Sequence, residues 1–204
     1  GRTDADFYPP ELAARYREAD QRVVTTGQPL HTEEEHHSPN GTQIVEVVKT
    51  PLRNTQGKTI GIQGIFWDIT ARKEAEAERE RLATAIDQAA EAIVITDVEG
   101  IIQYVNPAFE QVSGYTRSEA VGDKPSILKS GKQDDAFYRE LWETIGRGET
   151  WTGTFVNRRR DGTLFTEAAT LSPVRDADGR IVSYVAVKRD ITDRIALEEQ
   201  YRQA

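Results

Sequence analysis

Cysteine is absent from the 204 residues. That excludes disulfides, thiolate metal sites and any covalent cysteinyl adduct. It is compatible with a reducing compartment, and a cytoplasmic location is the expectation. No apolar run approaches the roughly 20 residues of a membrane-spanning helix. No secretory signal pattern opens the chain, so membrane contact by this stretch is not expected. A basic excess is also missing. The formal net charge is -8, which disfavours a general nucleic-acid role. The run Arg158, Arg159, Arg160 sits beside a turn and reads as a solvated hairpin tip. Histidine is scarce. His31, His36 and His37 are the only three, and the EEEHH spacing matches neither a zinc nor a haem ligand set. There is no glycine-rich phosphate loop of the usual form, and no Ser/His/Asp arrangement that spacing would favour. No enzymatic reading follows.

What the chain does contain is a repeat. PLRNTQGKTIGIQGIFWDIT, from Pro51, matches PVRDADGRIVSYVAVKRDIT, from Pro173. Pro51 aligns with Pro173, Gly57 with Gly179 and Asp68 with Asp190. Each copy runs proline, apolar residue, arginine, polar turn, strand, Asp-Ile-Thr and charged helix. The turns NGT at Asn40 and DGT at Asp161 correspond as well. The second copy carries a longer lead, AIVITDVEGIIQYVNPAFEQVSGY. It reads as two short strands, a turn at Glu99-Gly100 and a helix from Asn106. Asn106 then Pro107 is an N-cap with proline at the first helical position. The first copy has only a loop and a helix before its strands. A sequence that begins inside a domain is the expected reading, with a naturally short module as the alternative.

Between the copies, Ala75, Leu82, Ile86, Ala89 and Ile93 fall on a heptad-like seam among charges. Two readings stand: one amphipathic helix packed on its own domain, or a two-chain coiled coil. The second copy then reads strand, strand, helix, irregular segment, helix and three strands. Phe137, Leu141, Trp142 and Ile145 form one helical stripe. The class is α+β, an antiparallel sheet with helices inserted mid-sequence.

WTGTFVNRRRDGTLF, Trp151 to Phe165, reads as a hairpin turning at Asp161-Gly162. Strand alternation puts Trp151, Gly153, Phe155 and Asn157 on one face. An amide that follows two aromatics on a buried face needs a partner, from the protein or from a ligand. Asn157 can find that partner in a neighbouring strand or in a bound ring. Trp142 and Trp151 read as core or pocket-wall residues. Asp190 and Thr192, and likewise Asp68 and Thr70, read as caps of the helices that follow them.

AIVITDVEGIIQYVNPAFEQVSGYTRSEAVG, NRRRDGTLF and VAVKRDIT together resemble the PAS sensory-domain family over about Leu82 to Thr192. DFYPPELA, NGT, KTPLRN and GIFWDIT resemble the later half of another PAS domain. The resemblance implies a five-stranded antiparallel sheet with helices on one face, in two units joined by a long helix. Residues 1–70 are then the later part of a first domain and 71–90 a helical linker, a possible coiled coil. Residues 84–192 are a complete second domain and 193–204 the start of an outgoing signalling helix.

Within the family, PSILKSGKQDDAFYRELWETIGRGETWTGTFVNRRRDGTLF is similar to the flavin-binding redox sensors of the NifL and methane-monooxygenase-sensor type. That likeness implies FAD in the second domain, with Asn157 and Trp142 at the ring and Trp151, Phe155 and Leu128 around it. It implies signal transmission through Asp190, Ile191 and Thr192, with Asp68 and Thr70 serving the first domain. Val94 stands where the subgroup has serine and Pro125 where it has an acidic residue, so the likeness carries binding further than that subgroup's signalling. The expected protein is a homodimeric sensor in a two-component system, its output histidine kinase outside this chain. A cofactor-free dimerisation module and a small-metabolite sensor are the alternatives. A histidine-ligated haem is excluded in the second domain, which contains no histidine.

Overall fold

The computed structural model describes residues 3, 6, 9–38 and 41–203, without the side chains of 37 and 38. The NGT turn at Asn40 and the His37 side chain lie outside the described residues. The chain divides into two compact units, with the division between Glu80 and Arg81.

In the first unit, helix α1 (Pro10–Thr26) precedes three antiparallel strands, β1 (Leu30–Ser38), β2 (Gly41–Arg53) and β3 (Thr59–Asp68), in that spatial order. Gly27 ends α1 in the left-handed conformation, as a C-terminal glycine commonly does. Helix α2 (Thr70–Asp87) follows. The seam read from the sequence does not continue through it: Ala89 lies past the helix and Ile93 is on the next strand. The reason is local. AIVIT is a β-branched alternating run, and its Ala92, Val94 and Thr96 are buried in the sheet.

The second unit contains β4 (Ala92–Thr96), β5 (Ile102–Val105), α3 (Pro107–Ser113), α4 (Arg117–Ala120), a 3-10 turn at Pro125–Leu128, α5 (Asp135–Gly146), β6 (Trp151–Arg158), β7 (Leu164–Arg175), β8 (Ile181–Asp190) and α6 (Thr192–Gln203). Its sheet is antiparallel in the order β5-β4-β8-β7-β6. The segment read as irregular contains α4, which starts at a reciprocal Thr116–Glu119 capping box. Asn106 caps α3 as expected, its Oδ1 accepting from the Phe109 amide at 3.1 Å. Asp134 caps α5 through the Phe137 amide at 2.9 Å. The Asp161-Gly162 hairpin also forms: Asp161 accepts from the Thr163 amide and hydroxyl, and Gly162 takes φ 92°.

Two apolar clusters fill the unit. One joins β4, β5, α3 and Leu128; the other joins Leu141, Ile145, Trp151, Phe155 and Ala169.

The repeat is visible bond by bond. Arg53 donates to the carbonyls of Gly57 and Gly27, as Arg175 does to those of Gly179 and Gly148. Asn54 Oδ1 accepts two turn amides, as Asp176 Oδ1 does. Asp68 Oδ1 accepts from the Thr70 amide and hydroxyl at 2.9 and 2.6 Å, and Thr70 Oγ1 accepts from the Ile44 amide at 2.8 Å. Asp190, Thr192 and Thr166 repeat the set at 2.9, 2.6 and 2.9 Å.

Candidate functional site

Strand alternation builds the site. Asn157 on β6, Glu167 on β7 and Lys188 on β8 share one face of the sheet with Phe155, Ala169 and Ala186. Helix α5 lies over that face, its Leu141 and Ile145 turned inward. Between them is a cavity of about 530 Å³, within the range of small-molecule pockets. Its inner wall is buried Val94, Leu141, Ile145, Phe155 and Ala186; Tyr138, Trp142 and Tyr184 add aromatic surface. Val98, Glu99, Lys124 and Lys129 line it and are exposed, so they mark its opening.

The polar end is Asn157 and Lys188, with Glu167 bonded to both. Asn157 Nδ2 donates to Glu167 Oε1 at 2.7 Å, and Lys188 Nζ donates to the same oxygen at 2.6 Å. All three side chains are almost fully buried. Lys188 Nζ also lies 5.0 Å from the centre of the Phe155 ring, a cation-π contact. A lone charge here would be expensive; the pair neutralises it. Asn157 therefore has an ordinary protein partner for its donor. Its Oδ1 accepts from no group among the described residues.

The five ring-associated residues read from the sequence separate. Asn157, Trp142 and Phe155 line the cavity, whereas Trp151 and Leu128 lie in the apolar clusters. Trp142 sits on the exposed flank of α5, 43% exposed, edge-on to Tyr184 at 6.0 Å. A Cβ on Gly100 would stand 2.8 Å from the Trp142 ring, so Gly100 leaves room for it. Gly153 does the same for Trp151, whose ring covers it and packs edge-on against Phe137. That explains the order large, empty, aromatic along β6.

Glu167 and Lys188 were missed by sequence reasoning. The signal was present: each is a charge at an inward position of an alternating strand, in FTEAATL and SYVAVKRD. Asp190 and Thr192 adjoin the same end of the sheet. Arg159 Nη2 donates to Asp190 Oδ2 at 2.6 Å. Burial alone would raise the Asp190 pKa, but hydrogen bonds from Thr192 and Arg159 together hold it below the ordinary value. His31 meets Glu46 at 2.8 Å and His36 meets the Tyr16 hydroxyl at 2.9 Å. In the second unit, burial and the Asp87 bond push the Tyr104 phenol up to about 12.

An antiparallel five-stranded sheet with a helix over one face and a cavity between them defines an α+β domain of the sensory type. The comparisons with known proteins name it. A model described as PAS domain matches residues 90–193, and one described as PAS fold matches residues 1–74. The chain belongs to the PAS family and is a sensory, signal-transduction module. It is similar to the nitrogen fixation regulatory protein of Klebsiella oxytoca, 34% identical over 58% of this chain and 24% of that one. It is similar to the aerotaxis receptor of Escherichia coli K12, 31% identical over 52% of this chain and 21% of that one. A solved light-oxygen-voltage domain, studied with a flavin analogue, is 25% identical with a TM-score of 0.52, covering 63% of this chain and 99% of that one. The chain spans about a quarter of the length of these curated relatives. None of the described helices is long and apolar enough to cross a membrane.

Proposed function

We propose that the second unit is the sensing domain of a larger cytoplasmic signalling protein and that its cavity binds FAD. The observation that carries this is the cavity itself: aromatic walls with a hydrogen-bonding amide and a cation at the buried end. The donor set suits a flavin ring edge. Asn157 Oδ1 is left to accept and Lys188 Nζ to donate, and a ring edge offers partners for both. Trp142, Tyr138 and Phe155 give the apolar surface a flat heterocycle needs. Exposed Lys124 and Lys129 at the opening suit an anionic tail. Bound FAD would supply reversible two-electron chemistry at a buried position. The similarity to a nitrogen fixation regulatory protein and to a flavin-studied light-oxygen-voltage domain supports the same ligand class.

The protein's own part is to convert that state into geometry. Asn157, Glu167 and Lys188 each lie within two residues of Arg159, Thr166 and Asp190, the groups that fix the start of α6. A change at the polar end therefore reaches Asp190, Ile191 and Thr192 through one short stretch of sheet. The output, a histidine kinase in the proposed parent, would read the pose of α6 as one of two states. Asp68 and Thr70 hold α2 for the first unit by the same bonds. Dimerisation of the parent would place two such helices side by side.

A second reading has its own support. The Glu167 bonds give Asn157 Nδ2 and Lys188 Nζ a partner without any ligand, which favours a cofactor-free dimerisation module. An absorption spectrum before and after dithionite separates the two. A flavin band that bleaches, with FAD released on denaturation, is expected. A flat spectrum that stays flat after incubation with FAD would overturn the flavin reading.

A further inference from the structure

We propose that the buried Lys188–Glu167 pair sets the redox preference of the cavity, Lys188 being the charge the ligand meets and Glu167 the counter-charge behind it. The inference rests on the flavin reading above and adds the regulation of that site. Lys188 lines the cavity, while Glu167, almost fully buried, does not. The pair is neutral as a whole, but its positive end faces the ligand. A buried ion pair is seldom the most stable filling for such a site, since apolar side chains of similar volume pack as well or better. Here the surrounding face is already apolar, with Phe155, Ala169 and Ala186 beside the pair. A charged pair placed there has its clearest physical consequence in the field it projects into the cavity.

Were FAD bound, a reductant such as dithionite that gave the ring two electrons and one proton would leave it an anion beside Lys188. A cation beside it then favours the reduced over the oxidised ring, and the low local dielectric strengthens the effect. Glu167 attenuates that preference without cancelling it, because it stands farther back. Asn157 donates to the same Glu167 oxygen as Lys188, so it helps hold the carboxylate beside the ammonium.

The two charges thus make opposite predictions, which a packing role does not. The experiment is a spectroelectrochemical titration of flavin-loaded protein, wild type against Lys188→Met, Glu167→Gln and the double variant. Lys188→Met should weaken binding of the reduced ring relative to the oxidised by at least tenfold, about 30 mV lower for a two-electron couple. Glu167→Gln should shift the potential upward by a similar factor. The double variant should fall below wild type by less than Lys188→Met alone. If a single variant fails to fold, the double variant and Lys188→Arg carry the comparison; the arginine should stay within threefold of wild type. Flavin-loaded variants that all shift the same way, or none that shifts by threefold, would overturn this proposal and leave the flavin reading intact. Wild-type protein that takes up no flavin would overturn both.

Discussion

Asn106 is the side chain whose removal should cost the second unit most for its size. It is fully buried and makes four hydrogen bonds. Its Oδ1 accepts from the Ile93 amide at 2.8 Å and the Phe109 amide at 3.1 Å. Its Nδ2 donates to the Ile86 and Glu91 carbonyls at 3.1 and 2.9 Å. One residue therefore joins the end of α2, the start of β4 and the first turn of α3. Asn106→Ala removes an N-cap, about 1 kcal/mol. It also leaves the Ile93 amide and two carbonyls short of a partner, about 1 kcal/mol for the buried amide and about as much again for the carbonyls, which water reaches in part. The total is about 3 kcal/mol, a large share of the stability of a domain this size. Urea unfolding followed by tryptophan fluorescence measures it, in a Trp67→Phe background so that only Trp142 and Trp151 of the second unit report. A loss below about 1 kcal/mol, with an unchanged m-value, would refute the claim that this side chain holds the junction.

Other perturbations test other parts. Asp190 has a depressed folded pKa, so its contribution is present above the ordinary carboxylate value of 3.8 and is lost as pH falls through the lower folded one; Asp190→Asn should flatten that acid dependence, and hydrogen exchange at the Thr192 amide should rise already at neutral pH. Thr192→Val removes the hydroxyl that bonds Asp190 and the Thr166 amide, and should loosen α6 by about 1 kcal/mol while leaving the cavity intact, read as faster exchange at Ile191 and Ile195 without a change in flavin uptake. Gly153→Ala would push a Cβ into the Trp151 ring and should destabilise the unit by about 1–3 kcal/mol, visible in thermal unfolding. Gly100→Ala, at φ 80° and against Trp142, should displace that ring and lower retention of FAD on gel filtration.

The parts of the fold legible in the sequence were those written in neighbouring residues. Asn106-Pro107 announced a helix start, Asp161-Gly162 a hairpin, and Asp-Ile-Thr a cap, because each needs only a few residues to make its bonds. The cavity's polar end was legible in one member out of three. Asn157 stood out as an amide on an aromatic face, but Glu167, its partner, and Lys188, which shares that carboxylate oxygen, lie 10 and 31 residues away in sequence and meet it only through the register of β6, β7 and β8. The seam through Ala89 and Ile93 was misleading for a related reason. Its spacing fits a helix, but pairing of β4 with β5 and β8 overrides that local preference. Trp142 belongs to the α5 stripe by period, but it is the flank of that stripe that faces the cavity opening, and period alone does not separate flank from centre.

The internal repeat argues which part of the design is general and which is particular. Sheet register places His36 of the first unit where the second has Asn157: His36 pairs with Gln43, two residues before Val45, as Asn157 pairs with Phe165, two residues before Glu167. Val45 pairs with Asp68 as Glu167 pairs with Asp190, and Phe66 pairs with Val47 as Lys188 pairs with Ala169. So the buried amide, acid and lysine of the second unit are histidine, valine and phenylalanine in the first. The exit latch did not diverge in this way. Asp68, Thr70 and the Ile44 amide repeat Asp190, Thr192 and the Thr166 amide with distances equal to within 0.1 Å. The bonds that fix the helix start are thus common to both units, whereas the faces beside them differ in charge. Exchanging the three face residues should therefore change flavin uptake by the second unit, read by absorption, whereas Thr192→Val should leave uptake unchanged and speed exchange at Ile191 and Ile195.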